Sequence, residues 1–202
     1  MKTIESKFIS DHSEGDHGLE AILDYELSWV LRMAADEDCK KNQPKLFHQC
    51  QHILFKLLNI DNPKDFTIKR VNVWKQWRYV DLVADIYLEK NNTEILYVLM
   101  TEDKAYMPMT PKQRDEYPKI VKDAYDNYPQ YSQYRGKYKL RKVLVTCFSS
   151  DPKEEGYKAY KEFVKNTDWR VLSIEELPDW DVEELTESDL FNDFWFNDWN
   201  QL

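Results

Sequence analysis

Asp81, Glu102 and Lys104 are the residues whose types and spacing best suit chemistry. They lie in RYVDLVADIYLEKNNTEILYVLMTEDKAY, at 78–106. The segment reads as two strands, 79–88 and 94–104, in which apolar residues alternate or run together. Lys90-Asn91-Asn92-Thr93 supplies the turn, because Asn tolerates the left-handed backbone that a tight hairpin needs. A turn centred between Asn91 and Asn92 sets Glu102 across from Asp81. Side chains alternate along a strand, so Asp81, Val83 and Asp85 share a face, as do Met100, Glu102 and Lys104. Two facing carboxylates repel unless something compensates. A divalent cation is one solution, since hard oxygen ligands suit Mg²⁺ or Mn²⁺. The Lys104 ammonium is another, and a solvated sheet end is a third.

The order of these residues resembles a known pattern. Arg78-x-Val80-Asp81, a hydrophobic hairpin, Glu102-Asp103-Lys104 and then Gln113-x-x-x-Tyr117 are similar to the PD-(D/E)XK nuclease superfamily. The closer likeness is to its bacterial branch with the pattern D…E-(N/D)-K…Q-x-x-x-Y. The resemblance implies a restriction-endonuclease-like core and hydrolysis of phosphodiester bonds in DNA or RNA. It implies that Asp81 and Glu102 hold a catalytic Mg²⁺ or Mn²⁺, that Lys104 positions or activates water, and that Gln113 supports substrate or water. Asp85 is the alternative ligand if a bulge shifts the strand register. The family also carries a Glu on its first helix. ELSWVL resembles that segment and puts the role on Glu26, with Glu20 as the alternative.

The elements that must position these residues are legible as periodicities. At 19–35, Leu19, Ile22, Leu23, Leu27, Val30, Leu31 and Ala34 recur at helical spacing, with Glu26 inside the apolar stripe. A carboxylate facing a core is costly unless it is paired or bound to metal. Pro44 leads into a second helix at 46–58, and 66–77 reads as a strand that pairs with the hairpin. A helix follows at 111–127, opened by Pro111, with a kink or a short first segment expected at Pro118. Strands at 142–148 and 168–174 flank a helix at 151–165. The expected fold is therefore α/β: a mixed sheet of about five strands containing an antiparallel hairpin, flanked by helices. The domain spans 19–174, between a polar N-terminal arm at 1–18 and an acidic, aromatic tail at 175–202. The tail's helix, at 186–199, is expected to dock on the body or on a partner chain.

Candidate nucleic-acid contacts are Arg78, Lys112, Arg114, Arg135, Lys137 and Lys139. The last three interleave with tyrosines in NYPQYSQYRGKYKLR, where cations could meet phosphates and rings could meet bases. Trp74 and Trp77 are further stacking candidates. Net charge is −9, which opposes a nucleic-acid partner. However, ten of the 37 acidic residues and none of the 28 basic ones follow residue 174, so 1–174 is close to neutral. Only 4 Gly occur, and no phosphate-cradling Gly-rich motif is present. Cys39, Cys50 and Cys147 form no C-x-x-C, which points to free thiols in a reducing cytosol rather than a zinc site. His12 with His17, and His48 with His52, have metal-compatible spacings but no accompanying motif. No apolar run reaches membrane-spanning length. The competing functional reading is a catalytically inactive nuclease-like fold that acts as a protein-interaction module, or a homodimer, through the tail.

Overall fold

The computed structural model describes residues 18–105, 108–151, 153–182 and 184–196. A five-stranded mixed sheet of order β1-β2-β3-β4-β5 organises it. The strands are β1 (Thr67–Trp77), β2 (Val80–Lys90), β3 (Thr93–Lys104), β4 (Lys139–Thr146) and β5 (Trp169–Ser173). The first three pair antiparallel; β3, β4 and β5 run parallel.

Both hairpins close with two-residue turns in the left-handed region. Asn91 and Asn92 have φ of 51° and 59°, and Arg78 and Tyr79 have φ of 51° and 77°. Such turns match the twist of the strands they join. The Asn91-Asn92 turn fixes the β2–β3 register from Lys90↔Thr93 to Leu82↔Thr101. Continued by one residue, that register sets Asp81 across from Glu102, as the sequence predicts.

The sheet separates two cores. On one face, Leu82, Ala84, Ile86, Leu88, Tyr97 and Leu99 meet α1 (Gly18–Met33), α2 (Glu37–Asn42) and α3 (Pro44–Leu58). On the other, Val83, Tyr87, Leu96, Val98 and Met100 meet α5 (Tyr117–Asn127) and α6 (Glu155–Phe163), with the short α4 (Pro111–Asp115) leading into α5. The helix expected at 111–127 is two helices, α4 and α5, parted at Glu116 just before Pro118. Between α1 and α3 the charged segment holds the short α2, capped by the Asp36 carboxylate on the Cys39 N–H. Among the described residues no helix is long and apolar enough to cross a membrane.

The tail docks on its own chain. In α7 (Asp189–Trp195) and just beyond it, Phe191, Phe194, Trp195 and Phe196 are fully buried in the first core. Glu187 accepts from the N–H groups of Lys45 and Leu46, capping the start of α3, where Gln43 offers no side-chain cap. At the other end of α3, Arg141 donates to the Leu58 carbonyl and Arg170 to those of Lys56 and Leu57. These are the charge signs that each helix end favours. Residues 1–17, with His12 and His17, and the end of the helix expected at 186–199, lie outside the described residues.

Candidate functional site

Asp81, Glu102 and Lys104 converge where β2 and β3 leave the sheet. Lys104 Nζ lies 3.4 Å from Asp81 Oδ2 and 3.8 Å from Glu102 Oε2. The ammonium thus stands between the facing carboxylates, which is the compensation the sequence left open beside a cation. Asp81 Oδ2 also accepts from the Asp103 backbone N–H at 3.0 Å, which pins β2 to β3 beyond the last regular pair.

Gln113 reaches the same point from α4. Its Oε1 accepts from the Thr110 N–H and hydroxyl, closing a capping box that starts the helix. That commitment turns Nε2 toward Glu102 Oε2, at 2.8 Å. The helix start therefore also aims a donor at the site. Glu102 is fully buried and its Oε1 has no hydrogen-bond partner. Burial, with the Asp81 charge second, pushes its carboxyl up to about 9, and Lys104 pulls against this. The Tyr117 hydroxyl, raised first by burial, also feels Glu102 and Asp81, which places it at the rim.

The carboxylate from the first helix is Asp24, not Glu26. Gln76 bridges it to the site: Nε2 donates to Asp24 Oδ2 at 3.2 Å and to Asp81 Oδ1 at 3.4 Å. Gln76 has φ of 51°, a conformation a non-glycine residue rarely adopts, and it faces Asp81 across the β1–β2 hairpin. Backbone strain of this kind gathers at functional sites. Asp24 also faces Asp103, close enough for the two buried carboxyls to share a proton, and no other donor reaches Asp24 Oδ1 or either Asp103 oxygen. Both carboxyls are raised, each chiefly by burial; the Asp24 charge adds to the rise in Asp103.

Glu26 points instead into the core between α1 and α7. Burial raises it to about 7, opposed by the Trp195 indole N–H, although Glu26 Oε2 and Trp195 Nε1 fall short of a formed hydrogen bond. The Cys50 thiol is an ionisable neighbour. The cause is that α1 is buried on two sides, so Asp24 and Glu26 are both sequestered but in different places. The Glu20 side chain lies outside the described part of the chain.

Asp85 is not brought to the site either. It is buried under tyrosines, accepting from Tyr125 and, at 3.4 Å, from Tyr87, with Tyr131 close by. That cluster also accounts for the loop read as a nucleic-acid contact. Tyr131 stacks on Tyr125 with centroids 4.1 Å apart, Tyr138 packs on Tyr125, and Tyr134 bonds to Glu94. Lys139 bonds to the Tyr97 hydroxyl and pairs opposite Tyr97, about 17 Å along β3 from Glu102 at strand rise. Arg135 and Lys137 are exposed on the same turn. Arg114 is held in a two-point pair with Asp115 and donates to the Phe163 carbonyl. Lys112 is exposed beside Gln113, and Arg78 stands at the hairpin tip by the carboxylates.

A groove of about 830 Å³ opens elsewhere, lined by Phe47, His52, Phe55, Phe66 and Arg170, and holds none of these carboxylates. His48 and His52 both face Asp179, at 3.0 and 3.7 Å.

Among the described residues no three His, Cys, Asp or Glu side chains already form a metal-holding group. The donor chemistry nevertheless suits a hard cation: carboxylates face one another, and Glu102 Oε1 is buried without a partner. Asp24, Gln76 and Asp103 were missed by sequence reasoning. An acidic residue just outside the first helix's apolar stripe, and a strand residue opposite Asp81, were the available signals. In comparisons with known proteins, no family model matches the chain, and no curated protein or solved structure does.

Proposed function

We propose that the chain is a metal-dependent nuclease hydrolysing phosphodiester bonds of DNA or RNA, built on a restriction-endonuclease-like core of the PD-(D/E)XK type. The observation that carries this reading is the convergence of Asp81, Glu102 and Lys104 at one sheet end, with Gln113 bonded to Glu102. The order of elements supports it: a helix, three antiparallel strands, then parallel additions.

Asp81 and Glu102 would hold Mg²⁺ or Mn²⁺, with Asp24 as the carboxylate from the first helix. When bound, the ion polarises the scissile phosphate and lowers the pKa of attacking water. The chain's own residues do the rest. Lys104 carries the positive charge that orients water or meets charge developing on the phosphate. Gln113 fixes the Glu102 carboxylate, and Gln76 holds Asp24 and Asp81 at a set separation. The Asp103 N–H keeps Asp81 from turning away. The buried thiols Cys39 and Cys50, which form no disulfide, suit a reducing compartment such as the cytosol.

The module reading relied on an aromatic tail offered to a partner. Phe191, Phe194, Trp195 and Phe196 are buried in the chain's own core, so these four rings are not offered to a partner. The test is a Mn²⁺-supported cleavage screen over DNA and RNA substrates. Wild type should cleave at least one, and Asp81→Asn and Lys104→Ala should each lower the rate ~100-fold or more. Cleavage that survives both substitutions would count against the site.

A further inference from the structure

Large aromatic side chains are left open to solvent beside the carboxylates. Tyr25 is 65% exposed and Tyr79 is 75% exposed. Tyr25 follows Asp24 on α1, and Tyr79 stands two residues before Asp81 at the tip of the β1–β2 hairpin. Trp74, also exposed, is on the same strand end. Of the other exposed large hydrophobics among the described residues, Leu185 and Leu190 belong to the tail.

Neither tyrosine is buried in a core. Tyr79 occupies a left-handed turn position, where Asn or Gly is the usual choice and a bulky residue is strained. Its ring gains little burial to offset that strain. Lys75 lies against the Tyr25 ring, and Arg78, which precedes Tyr79 at the hairpin tip, lies near two half-buried rings. Lys75 Nζ lies 2.8 Å from the Tyr25 ring centroid. The Arg78 guanidinium stands 5.2 Å from Trp77 and 5.1 Å from Tyr128. Exposed Tyr25, with Lys75 against its ring, and exposed Tyr79, next to Arg78 in sequence, stand at the sheet end that holds Asp81 and Glu102, a set that suits bases and phosphates presented one strand at a time.

We infer that the substrate of this site is single-stranded nucleic acid, with bases stacked on Tyr25 and Tyr79 and phosphates met by Lys75 and Arg78. This rests on the nuclease reading above. A duplex hides its base faces in its own stack and offers a lattice of phosphates, so binding it depends on many cations. This chain has a net charge of −9 and is near neutral even without its tail, so that source of affinity is weak. Stacking does not need net charge, and it is sequence-tolerant because every base has a π-face. A flexible strand also approaches a buried carboxylate such as Glu102 more readily than a rigid duplex does.

The test is fluorescence anisotropy with the full chain in EDTA, so that binding is read without cleavage. The probes are a short labelled single strand and the duplex of the same sequence. The single strand should bind about tenfold more tightly, and Tyr79→Ala and Tyr25→Ala should each weaken it about tenfold. Tyr79→Phe, which keeps the ring, should bind as wild type. Both tyrosines are exposed, so the fold survives these changes. Equal or tighter duplex binding, with Tyr79→Ala neutral and Mn²⁺-dependent cleavage intact, overturns the inference and leaves the nuclease reading standing. A chain that neither binds nor cleaves nucleic acid of either form overturns both.

Discussion

Glu26 and Glu102 are two carboxyls that burial holds above the ordinary value of 4.5, at about 7 and about 9. Such a group keeps its proton in the folded chain after the unfolded chain has lost it. Its contribution to stability is therefore intact below pH 4.5 and falls as pH rises to the folded value. Glu26 should cost up to about 3 kcal/mol at pH 8. Glu26→Gln keeps the shape and removes the ionisation. It should raise stability at pH 8, leave it unchanged near pH 4, and flatten the decline between, as read by urea denaturation across pH in EDTA. Glu102→Gln should likewise stabilise the chain at neutral pH, by about 1–3 kcal/mol, while abolishing hydrolysis. A structural glutamate would not show that opposition of stability and activity. The sequence exposed Asp81, Glu102, Lys104 and Gln113, because a hairpin register and a helix start are local properties. It did not expose Asp24, because helical periodicity reports how apolar a stripe is and not which neighbour a buried polar residue meets. Glu26 lies in that stripe and is buried, yet it faces Trp195 rather than the hairpin.

Elements were legible where local chemistry fixes them. Asn91-Asn92 sets the central hairpin because both residues accept positive φ, and Asn92→Gly should add about 0.5 kcal/mol with activity unchanged. Pro118 parts α4 from α5 because it cannot donate to the turn before it. What stayed hidden depends on remote partners. The tyrosines at 128–138 interleave with cations as a binding loop does, yet Tyr131 turns inward to Tyr125 and Asp85, Tyr138 packs on Tyr125, and Tyr134 bonds to Glu94. The start of α3 is capped by Glu187, 142 positions from Lys45 and beyond the reach of any local motif. Glu187→Ala should lower stability by about 1 kcal/mol, measured as a fall in Tm with hydrolysis retained.

Across the whole molecule, the tail's acidity is largely spent inside the chain. Glu184 pairs with Lys45, Glu187 caps α3, Asp179 faces His48 and His52, and Glu176 accepts from Tyr157. The tail therefore completes the first core, which also backs α1 and so sets where Asp24 stands. Trp195→Ala should cost about 3–5 kcal/mol by opening a cavity there, seen as a lower denaturation midpoint. One end of the mixed sheet then gathers the buried carboxyl groups and Lys104, with Tyr25 and Tyr79 exposed nearby. The measurement that most directly tests the central claim is calorimetric titration of Mn²⁺ into wild type and Glu102→Gln. The account predicts saturable binding to wild type that Glu102→Gln abolishes while remaining folded. Equal binding by both chains, or none by a folded wild type, would contradict it.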